Sequence, residues 1–96
     1  MSHVEIYTKS YCGYCQRAKK LLKRKGLSFY EYEITNDNIM RDEMIARSGR
    51  TTVPQVFIDG IHVGGGVDLA KANKSGELDL ILGCVNDEFT YACAPS

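Results

Sequence analysis

The chain has 96 residues, of which 44% are hydrophobic and 25% charged, a composition typical of one globular domain. Twelve basic residues balance twelve acidic ones, so bulk charge gives no reason to expect nucleic acid or an anionic membrane as a partner. No segment contains the ~20 apolar residues of a membrane span, and no apolar run of the signal-peptide kind follows Met1. We therefore expect a cytoplasmic protein, or a mature form whose targeting segment is absent.

The first part of the chain predicts a strand, a helix and a second strand. Residues 4–8 alternate between apolar and polar side chains, which is typical of a strand. Ala18, Leu21 and Leu22 have the spacing of one apolar helix face, with basic residues on the opposite face. Residues 28–34 alternate again. The two strands are expected to be parallel, because a helix crosses between them.

The second part predicts a helix, a β-hairpin and two further helices. The predicted elements are a helix over 39–48, strands over 55–58 and 61–63, and a last helix over 77–84. Asp59 and Gly60 are a hairpin turn signal, and Asp68 is placed as the N-cap of a short helix after the hairpin. The result is an α/β domain over residues 1–85. Residues 86–96 show no clear pattern and are expected to form a C-terminal tail.

Cys12 and Cys15 form a Cys-x-x-Cys motif where the first strand leads into the first helix. Unpaired N–H groups and the helix dipole favour a thiolate at a helix N-terminus, and Lys9 and Arg17 add positive potential. The exposed Cys12 is therefore the expected nucleophile. Cys15, one turn into the helix, is the expected resolving thiol, which attacks the mixed disulfide on Cys12. The pattern predicts a thiol–disulfide oxidoreductase.

Two other interpretations account less well for the four cysteines. Structural disulfides are typical of small secreted proteins, but nothing marks secretion, and a bridge between Cys12 and Cys15 closes too small a loop to constrain the unfolded chain much. A zinc site needs four ligands, and the other cysteines and histidines have no paired ligand spacing, so no metal is expected in the monomer. Cys84 is expected as a buried small apolar residue near a helix end, Cys93 as an exposed tail thiol, and His62 as an outward-facing strand residue.

Two further segments support redox chemistry. Pro54 stands where a loop enters a strand, which is compatible with a cis bond that would present the Val53 backbone to an extended peptide; a trans proline in a plain loop is the alternative. The glycines of residues 64–66 allow close approach of a ligand, and the following helix N-terminus is an anion site. A purely structural capping role explains Asp68 equally well.

Together these segments resemble the glutaredoxin family, in the pattern of the short bacterial dithiol members. The matching segments are residues 4–9, Cys12-Gly13-Tyr14-Cys15, residues 50–58 and residues 64–69, in the same order. The likeness extends over about residues 4–82. It implies a thioredoxin-like three-layer sandwich with a mixed four-stranded sheet and flanking helices. It also implies glutathione as the electron donor, disulfide-bonded or glutathionylated proteins as substrates, Cys12 as nucleophile and Cys15 as resolving thiol.

The resemblance also implies a set of residues that hold glutathione. They are Lys9, Tyr14, Thr52, Val53, Pro54, Gly65, Gly66, Val67 and Asp68. By this likeness, Val53 pairs with the cysteinyl backbone of glutathione, and the glutamyl end meets the helix N-terminus at Val67 and Asp68. Arg41 matches a position often used for the glycyl carboxylate, and a solvated helix charge is an equally good interpretation of it.

Gly13 departs from the family pattern, which has proline at this position of the dithiol motif. Glycine loosens the turn and is expected to change the redox balance. Some glutaredoxins without this proline bind a [2Fe–2S] cluster between two subunits, with glutathione thiols as the other ligands. The resemblance therefore leaves open a cluster-bridged dimer held by Cys12, beside the monomer. A reductase fed directly by a flavoenzyme is a third alternative; Tyr14, the glycine loop and the absence of tryptophan favour glutathione.

Overall fold

The computed structural model of the chain describes residues 3–82, 84–86 and 91–93. The strands are β1 (Val4–Thr8), β2 (Tyr30–Glu33), β3 (Gln55–Ile58), β4 (Ile61–Gly64), β5 (Cys84–Asn86) and β6 (Tyr91–Cys93). The helices are α1 (Gly13–Arg24), α2 (Asn38–Ser48), α3 (Gly66–Ser75) and α4 (Glu77–Ile81). In the described part of the chain, no helix has the length and apolar character needed to cross a membrane.

Four strands form one mixed sheet in the order β2-β1-β3-β4. β1 and β2 are parallel, with Ile6 opposite Glu31, because α1 returns the chain to the end of the sheet where β1 began. β3 is antiparallel to both β1 and β4. Asp59 and Gly60 join β3 to β4 with φ values of 51° and 79°, the left-handed conformation that a tight hairpin turn requires. This arrangement confirms the mixed four-stranded sheet that the sequence predicts.

Helices cover both faces of this sheet and give three layers. On one face, β1 and β3 pack against α1, α3 and α4. That core comprises Val4, Ile6, Ala18, Leu21, Leu22, Val56, Ile58, Leu69, Ala72, Leu78 and Leu82. On the other face, Tyr7, Ile34 and Phe57 pack against Met44 of α2. The two central strands, β1 and β3, are thus covered on both sides. This packing fixes the position of the end of β1, where α1 begins.

Both ends of α1 are defined by capping residues. Cys12 is the N-cap, with an extended backbone (φ −95°, ψ 112°) and a side chain that accepts a hydrogen bond from the first turn. Lys25 is the C-cap, and its backbone N–H donates to the Leu21 carbonyl at 3.1 Å. The predicted helix after the cysteine motif is confirmed, and it places Cys12 at its N-terminus.

Gly13 is the first residue of α1, and we expect Gly13→Pro to stabilise the reduced protein by about 0.5–1 kcal/mol. Proline favours the first helical position, and Cys12 already has the extended backbone that a residue before proline adopts. A Cβ on Gly13 would meet no heavy atom within 4 Å. Denaturant unfolding measures the change, and Gly13→Ala separates the effect of the ring from that of the Cβ. A Gly13→Pro protein less stable than wild type would contradict this helix start.

The C-terminal part differs from the prediction in two ways. α4 ends at Ile81, so Cys84 does not belong to the last helix; it begins β5, where it is opposite Cys93 of β6. Residues 84–86 and 91–93 thus form a two-stranded sheet in a region where, beyond Cys84, no regular element was predicted, because three-residue strands are too short to show periodicity. The expected burial of Cys84 and exposure of Cys93 concern side chains outside the described residues. The boundary between a domain of residues 1–85 and a tail of residues 86–96 stays a prediction.

The start of α3 is also corrected. Gly65 is the N-cap of α3, and Asp68 is its third residue, so the predicted N-cap at Asp68 is wrong. The Asp68 carboxylate instead accepts a hydrogen bond from the Gly65 backbone N–H at 2.9 Å. Asp68 therefore caps the α3 N-terminus as a residue of the first helical turn, and not as the N-cap residue that precedes the helix.

Candidate active site

Cys12 lies half-buried between the end of β1 and the start of α1. Its Sγ accepts a hydrogen bond from the Cys15 backbone N–H at 3.2 Å. Its thiol also lies 4.0 Å from the Val53 carbonyl oxygen, to which it donates. The N–H group and the positive end of the helix dipole both stabilise negative charge on this sulfur, so the Cys12 site is suited to a thiolate nucleophile.

Cys15 lies one turn further along α1 and is only 1% exposed. Burial, followed by the hydrogen bond with Cys12, raises the pKa of the Cys15 thiol to about 12. A backbone hydrogen bond from Lys9 and the charge of Lys19 act in the opposite direction. The two thiols therefore differ in accessibility, and Cys15 keeps its proton at neutral pH.

This difference predicts selective alkylation of the reduced protein. At pH 8, a pKa of about 12 leaves about one Cys15 in ten thousand as thiolate, and the sulfur is also shielded from reagents. We expect iodoacetamide to modify Cys12 at least about a hundredfold faster than Cys15. Peptide mapping by mass spectrometry measures both rates, and a urea-unfolded sample provides the control in which the two rates converge. Equal rates in the folded protein would contradict the burial of Cys15.

The loop before β3 faces the cysteine pair. The Val53–Pro54 peptide bond is cis, which confirms the conformation that the sequence left open. Pro54 is buried and Val53 half-buried, with the Val53 carbonyl directed at the Cys12 thiol. The backbone of Val53 is therefore next to the sulfur at which an extended peptide would react.

The start of α3 completes this cluster. A Cβ on Gly66 would lie 3.6 Å from both Pro54 Cγ and Tyr14 Cβ, and one on Gly65 would lie 3.3 Å from the Pro54 carbonyl oxygen. Gly65 thus allows a close approach of the α3 N-terminus to Pro54, and Gly66 is next to both Pro54 and Tyr14. Val67, the next residue of the helix, is 57% exposed and borders the same region.

Arg50 belongs to this region, although the sequence analysis did not select it as a site residue. Its Nη1 donates to the Asp68 carboxylate at 2.6 Å, and Asp68 also accepts from the Gly65 N–H. The Arg50 guanidinium, and then the Gly65 N–H, hold the pKa of Asp68 below its ordinary value. The only sequence signal for Arg50 was its place at the start of the matching segment of residues 50–58.

Three other predicted site residues, Thr52, Lys9 and Arg41, have exposed or half-buried side chains. Thr52 is exposed, and its carbonyl and hydroxyl oxygens accept hydrogen bonds from the Gln55 amide at 3.0 and 3.2 Å. Lys9 is exposed after β1, and Arg41 is half-buried in the first turn of α2. Among the described residues, neither basic side chain forms an ion pair, so both are available to an anionic ligand.

His62 is not the outward-facing residue that the sequence predicted. It is half-buried, its ring lies 5.0 Å from the Phe57 ring, and its Nε2 is 2.7 Å from Gln55 Oε1. Burial lowers the pKa of His62 and so favours the neutral imidazole. Within residues 3–82, whose side chains are described, no group of three or more His, Cys, Asp or Glu residues is arranged to hold a metal ion.

An accessible sulfur at a helix start and a buried thiol one turn behind it are the two parts that disulfide exchange needs. The fold and the site thus define a thiol–disulfide oxidoreductase on a three-layer α/β sandwich. Residues 4–63 match the family model described as Glutaredoxin. Over 82 residues, the chain is 56% identical to glutaredoxin 3 of Escherichia coli strain K12; the match covers 85% of this chain and 99% of that protein.

Solved structures agree with the family match. The solution structure of glutaredoxin from Brucella melitensis superposes with a TM-score of 0.73 at 49% identity, over 83% of this chain and 87% of that one. The crystal structure of a buckwheat glutaredoxin–glutathione complex gives a TM-score of 0.77 at 31% identity, over 84% and 76%. The chain belongs to the glutaredoxin family. It has the thioredoxin-like fold and is a glutathione-dependent thiol–disulfide oxidoreductase.

Proposed function

We propose that this chain reduces glutathione mixed disulfides and protein disulfides, with Cys12 as the nucleophile and Cys15 as the resolving thiol. The observation that carries the proposal is the 3.2 Å hydrogen bond from the Cys15 N–H to Cys12 Sγ, at a helix start above the buried Cys15 thiol. This arrangement gives the two sulfurs different tasks. We place this activity in the cytoplasm, where the reducing glutathione pool keeps Cys12 and Cys15 as thiols.

The reaction with a glutathione mixed disulfide uses Cys12 alone. The Cys12 thiolate attacks the glutathione sulfur, the substrate S–S bond breaks, and the substrate thiolate leaves and takes up a proton. A second glutathione, as thiolate, attacks the glutathione sulfur of the Cys12 mixed disulfide. It releases glutathione disulfide and restores the Cys12 thiolate.

A protein disulfide requires Cys15 as well. Attack by Cys12 forms a mixed disulfide with the substrate protein and releases one of its two thiolates. Cys15 then loses its proton and attacks Cys12 Sγ, which forms the Cys12–Cys15 disulfide and releases the second substrate thiol. Two glutathione molecules reduce this disulfide and leave as glutathione disulfide. In the reduced protein the raised pKa keeps Cys15 protonated, so its attack on Cys12 needs a base to accept the proton.

The proposed glutathione site is the cluster around the Cys12 sulfur. The Val53 backbone next to Cys12 is placed to pair with the cysteinyl part, since its carbonyl already meets the Cys12 thiol. The α3 N-terminus offers N–H groups to the glutamyl carboxylate at Val67, while the Asp68 carboxylate suits the glutamyl ammonium. The remaining proposed contacts are Lys9, Tyr14, Arg41, Thr52, Pro54, Gly65 and Gly66. The glutathione complex of the buckwheat relative supports this proposal.

A coupled assay tests the electron donor. The substrate is the mixed disulfide of mercaptoethanol with glutathione. The assay contains this substrate, purified protein, free glutathione, glutathione reductase and NADPH, and the oxidation of NADPH is followed. We expect turnover that saturates with the mixed disulfide and depends on glutathione. A parallel reaction replaces glutathione and its reductase by thioredoxin reductase, and we expect no turnover there. Turnover only in the parallel reaction would reject glutathione as the donor.

We also propose, as a second candidate, a [2Fe–2S]-bridged dimer. A [2Fe–2S] cluster takes four thiolate ligands, and one chain offers a single accessible thiol in the described site, Cys12. The donor set therefore fits only if two chains each supply Cys12 and one bound glutathione. Gly13 favours this state, because it is exposed and a Cβ there would contact nothing within 4 Å, which leaves the side of Cys12 open.

Anaerobic reconstitution tests the dimer. Protein, iron, sulfide and glutathione are combined, and visible absorbance and molecular mass are measured by size-exclusion chromatography. We expect a coloured dimer for wild type, and a colourless monomer for Cys12→Ser and without glutathione. Gly13→Pro provides the matched variant that closes the space beside Cys12. A colourless monomeric wild type would reject the cluster-bound state.

A further inference from the structure

A groove of about 780 Å³ lies between α1 and α3. Its lining residues are Tyr14, Arg17, Ala18, Lys20, Leu21, Lys23, Arg24, Gly66, Val67, Ala70, Lys71 and Lys74. Ala18 and Leu21 are buried, whereas Tyr14 and Val67 are 58% and 57% exposed. The groove therefore offers apolar surface to a partner and begins two residues from Cys12.

All the charged residues that line this groove are basic. They are Arg17, Lys20, Lys23, Arg24, Lys71 and Lys74, six of the twelve basic residues in a chain of zero net charge. All six side chains are exposed, and none forms an ion pair with a described carboxylate. Lys19 and Lys25, on the same helix region but outside the groove, are paired with Glu31 and Asp79. Positive charge is thus concentrated, without compensation, along one surface that leads to the nucleophile.

We propose that this groove docks an acidic segment of a substrate protein and so presents the neighbouring disulfide or glutathionylated cysteine to Cys12. The inference rests on the proposed function and adds the chemistry of the partner. From Tyr14 to Arg24, α1 rises by about 15 Å, which accommodates about five residues of extended peptide. Carboxylates of such a segment would face the two rows of cations, and an apolar side chain would cover Tyr14 and Val67.

A peptide fits this surface better than a nucleic acid does. The cations stand on two helices with apolar residues between them, and Arg17 already lies over the Tyr14 ring, 5.2 Å from its centroid. Tyr14, which lines the groove at the α1 N-terminus, lies between the two cysteines in the sequence, so an occupant of the groove can hold a reactive sulfur close to Cys12. Both features suit a protein segment that carries a cysteine next to acidic residues.

Two glutathionylated peptides of equal length test the proposal, one with four glutamates beside its cysteine and one with four glutamines. The groove variant is Lys20→Gln with Lys74→Gln. The matched control is Ser28→Glu with Ala46→Glu, which changes net charge equally at exposed positions outside the groove. At low ionic strength, we expect the groove variant to lose about tenfold in kcat/KM for the glutamate peptide. The control variant, the glutamine peptide and the mixed disulfide of mercaptoethanol should change less than about twofold.

The other possible results distinguish failure of the docking proposal from failure of the proposed function. An equal loss with both peptides, or none with either, would overturn the docking proposal while leaving the disulfide reductase intact. Failure of wild type on the mercaptoethanol substrate would instead reject the proposed function itself. Fluorescence anisotropy compares binding of the glutamate peptide and of a single-stranded oligonucleotide of equal charge. Tighter binding of the oligonucleotide, lost in the groove variant, would assign the groove to nucleic acid and overturn the peptide proposal.

Discussion

Cys12→Ser lowers the turnover of a glutathione mixed disulfide by at least about a thousandfold, whereas Cys15→Ser keeps most of it. A serine hydroxyl at the α1 start is not ionised at neutral pH and cannot form the mixed disulfide. Cys15 is not needed for this substrate, because a second glutathione attacks the glutathione sulfur on Cys12. The coupled assay with glutathione reductase measures both variants beside wild type.

With a substrate protein that contains an intramolecular disulfide, Cys15→Ser loses the turnover that it keeps with a glutathione mixed disulfide. Without the Cys15 thiol, release from the mixed disulfide depends on glutathione from solution, so we expect turnover to fall by about tenfold or more. Far-UV circular dichroism of the serine variants controls for misfolding, which the buried Cys15 position makes necessary. Equal losses for both variants with both substrates would show that the two thiols do not have separate roles.

Gly64→Ala destabilises the protein by about 3 kcal/mol or more, because two costs add. Gly64 has φ +126°, a conformation that side chains rarely adopt, and an added Cβ would lie 2.5 Å from Asp68 Oδ2 and 2.6 Å from Asp68 Cβ. The first turn of α3 must therefore move away. That movement disturbs the hydrogen bond from Gly65 and the ion pair with Arg50, which together fix the Asp68 carboxylate at the proposed glutathione site.

Gly60→Ala is the matched control for this substitution. Gly60 also has positive φ, +79°, but a Cβ there would meet nothing within 4 Å, so only the backbone cost of about 1–2 kcal/mol applies. Denaturant unfolding gives both free energies, and the KM for glutathione should rise for Gly64→Ala but not for Gly60→Ala. If the two variants lose the same stability, the close approach of Gly64 to Asp68 is wrong.

The sequence contains local signals for much of the fold. Asp59 and Gly60 adopt the hairpin turn expected of them, Cys12 lies at the N-terminus of α1 as predicted, and the βαβ order determines the parallel pair. These features depend on neighbouring residues, so a single sequence reveals them. The last helix begins at Glu77 as predicted, although it ends at Ile81 and not at Cys84. The three-residue strands β5 and β6 contain too few residues for a period to be distinguished from chance.

Features that depend on tertiary contact were not predicted. Arg50 and Asp68 are 18 positions apart and meet only because the loop before β3 packs against the α3 start. His62 becomes half-buried because the hairpin places it against Phe57 and Gln55. Zero net charge gave no indication of the basic groove, since its residues come from two separate helices that packing brings together.

Trapping of the first intermediate tests the central claim most directly. Reduced Cys15→Ser protein is incubated with glutathione disulfide, and intact mass and peptide mapping by mass spectrometry locate the product. We expect one glutathionyl group per chain on Cys12, removed by dithiothreitol and absent when Cys12 is also replaced by serine. A protein that stays unmodified, or that takes up glutathione only at Cys84 or Cys93, would contradict it.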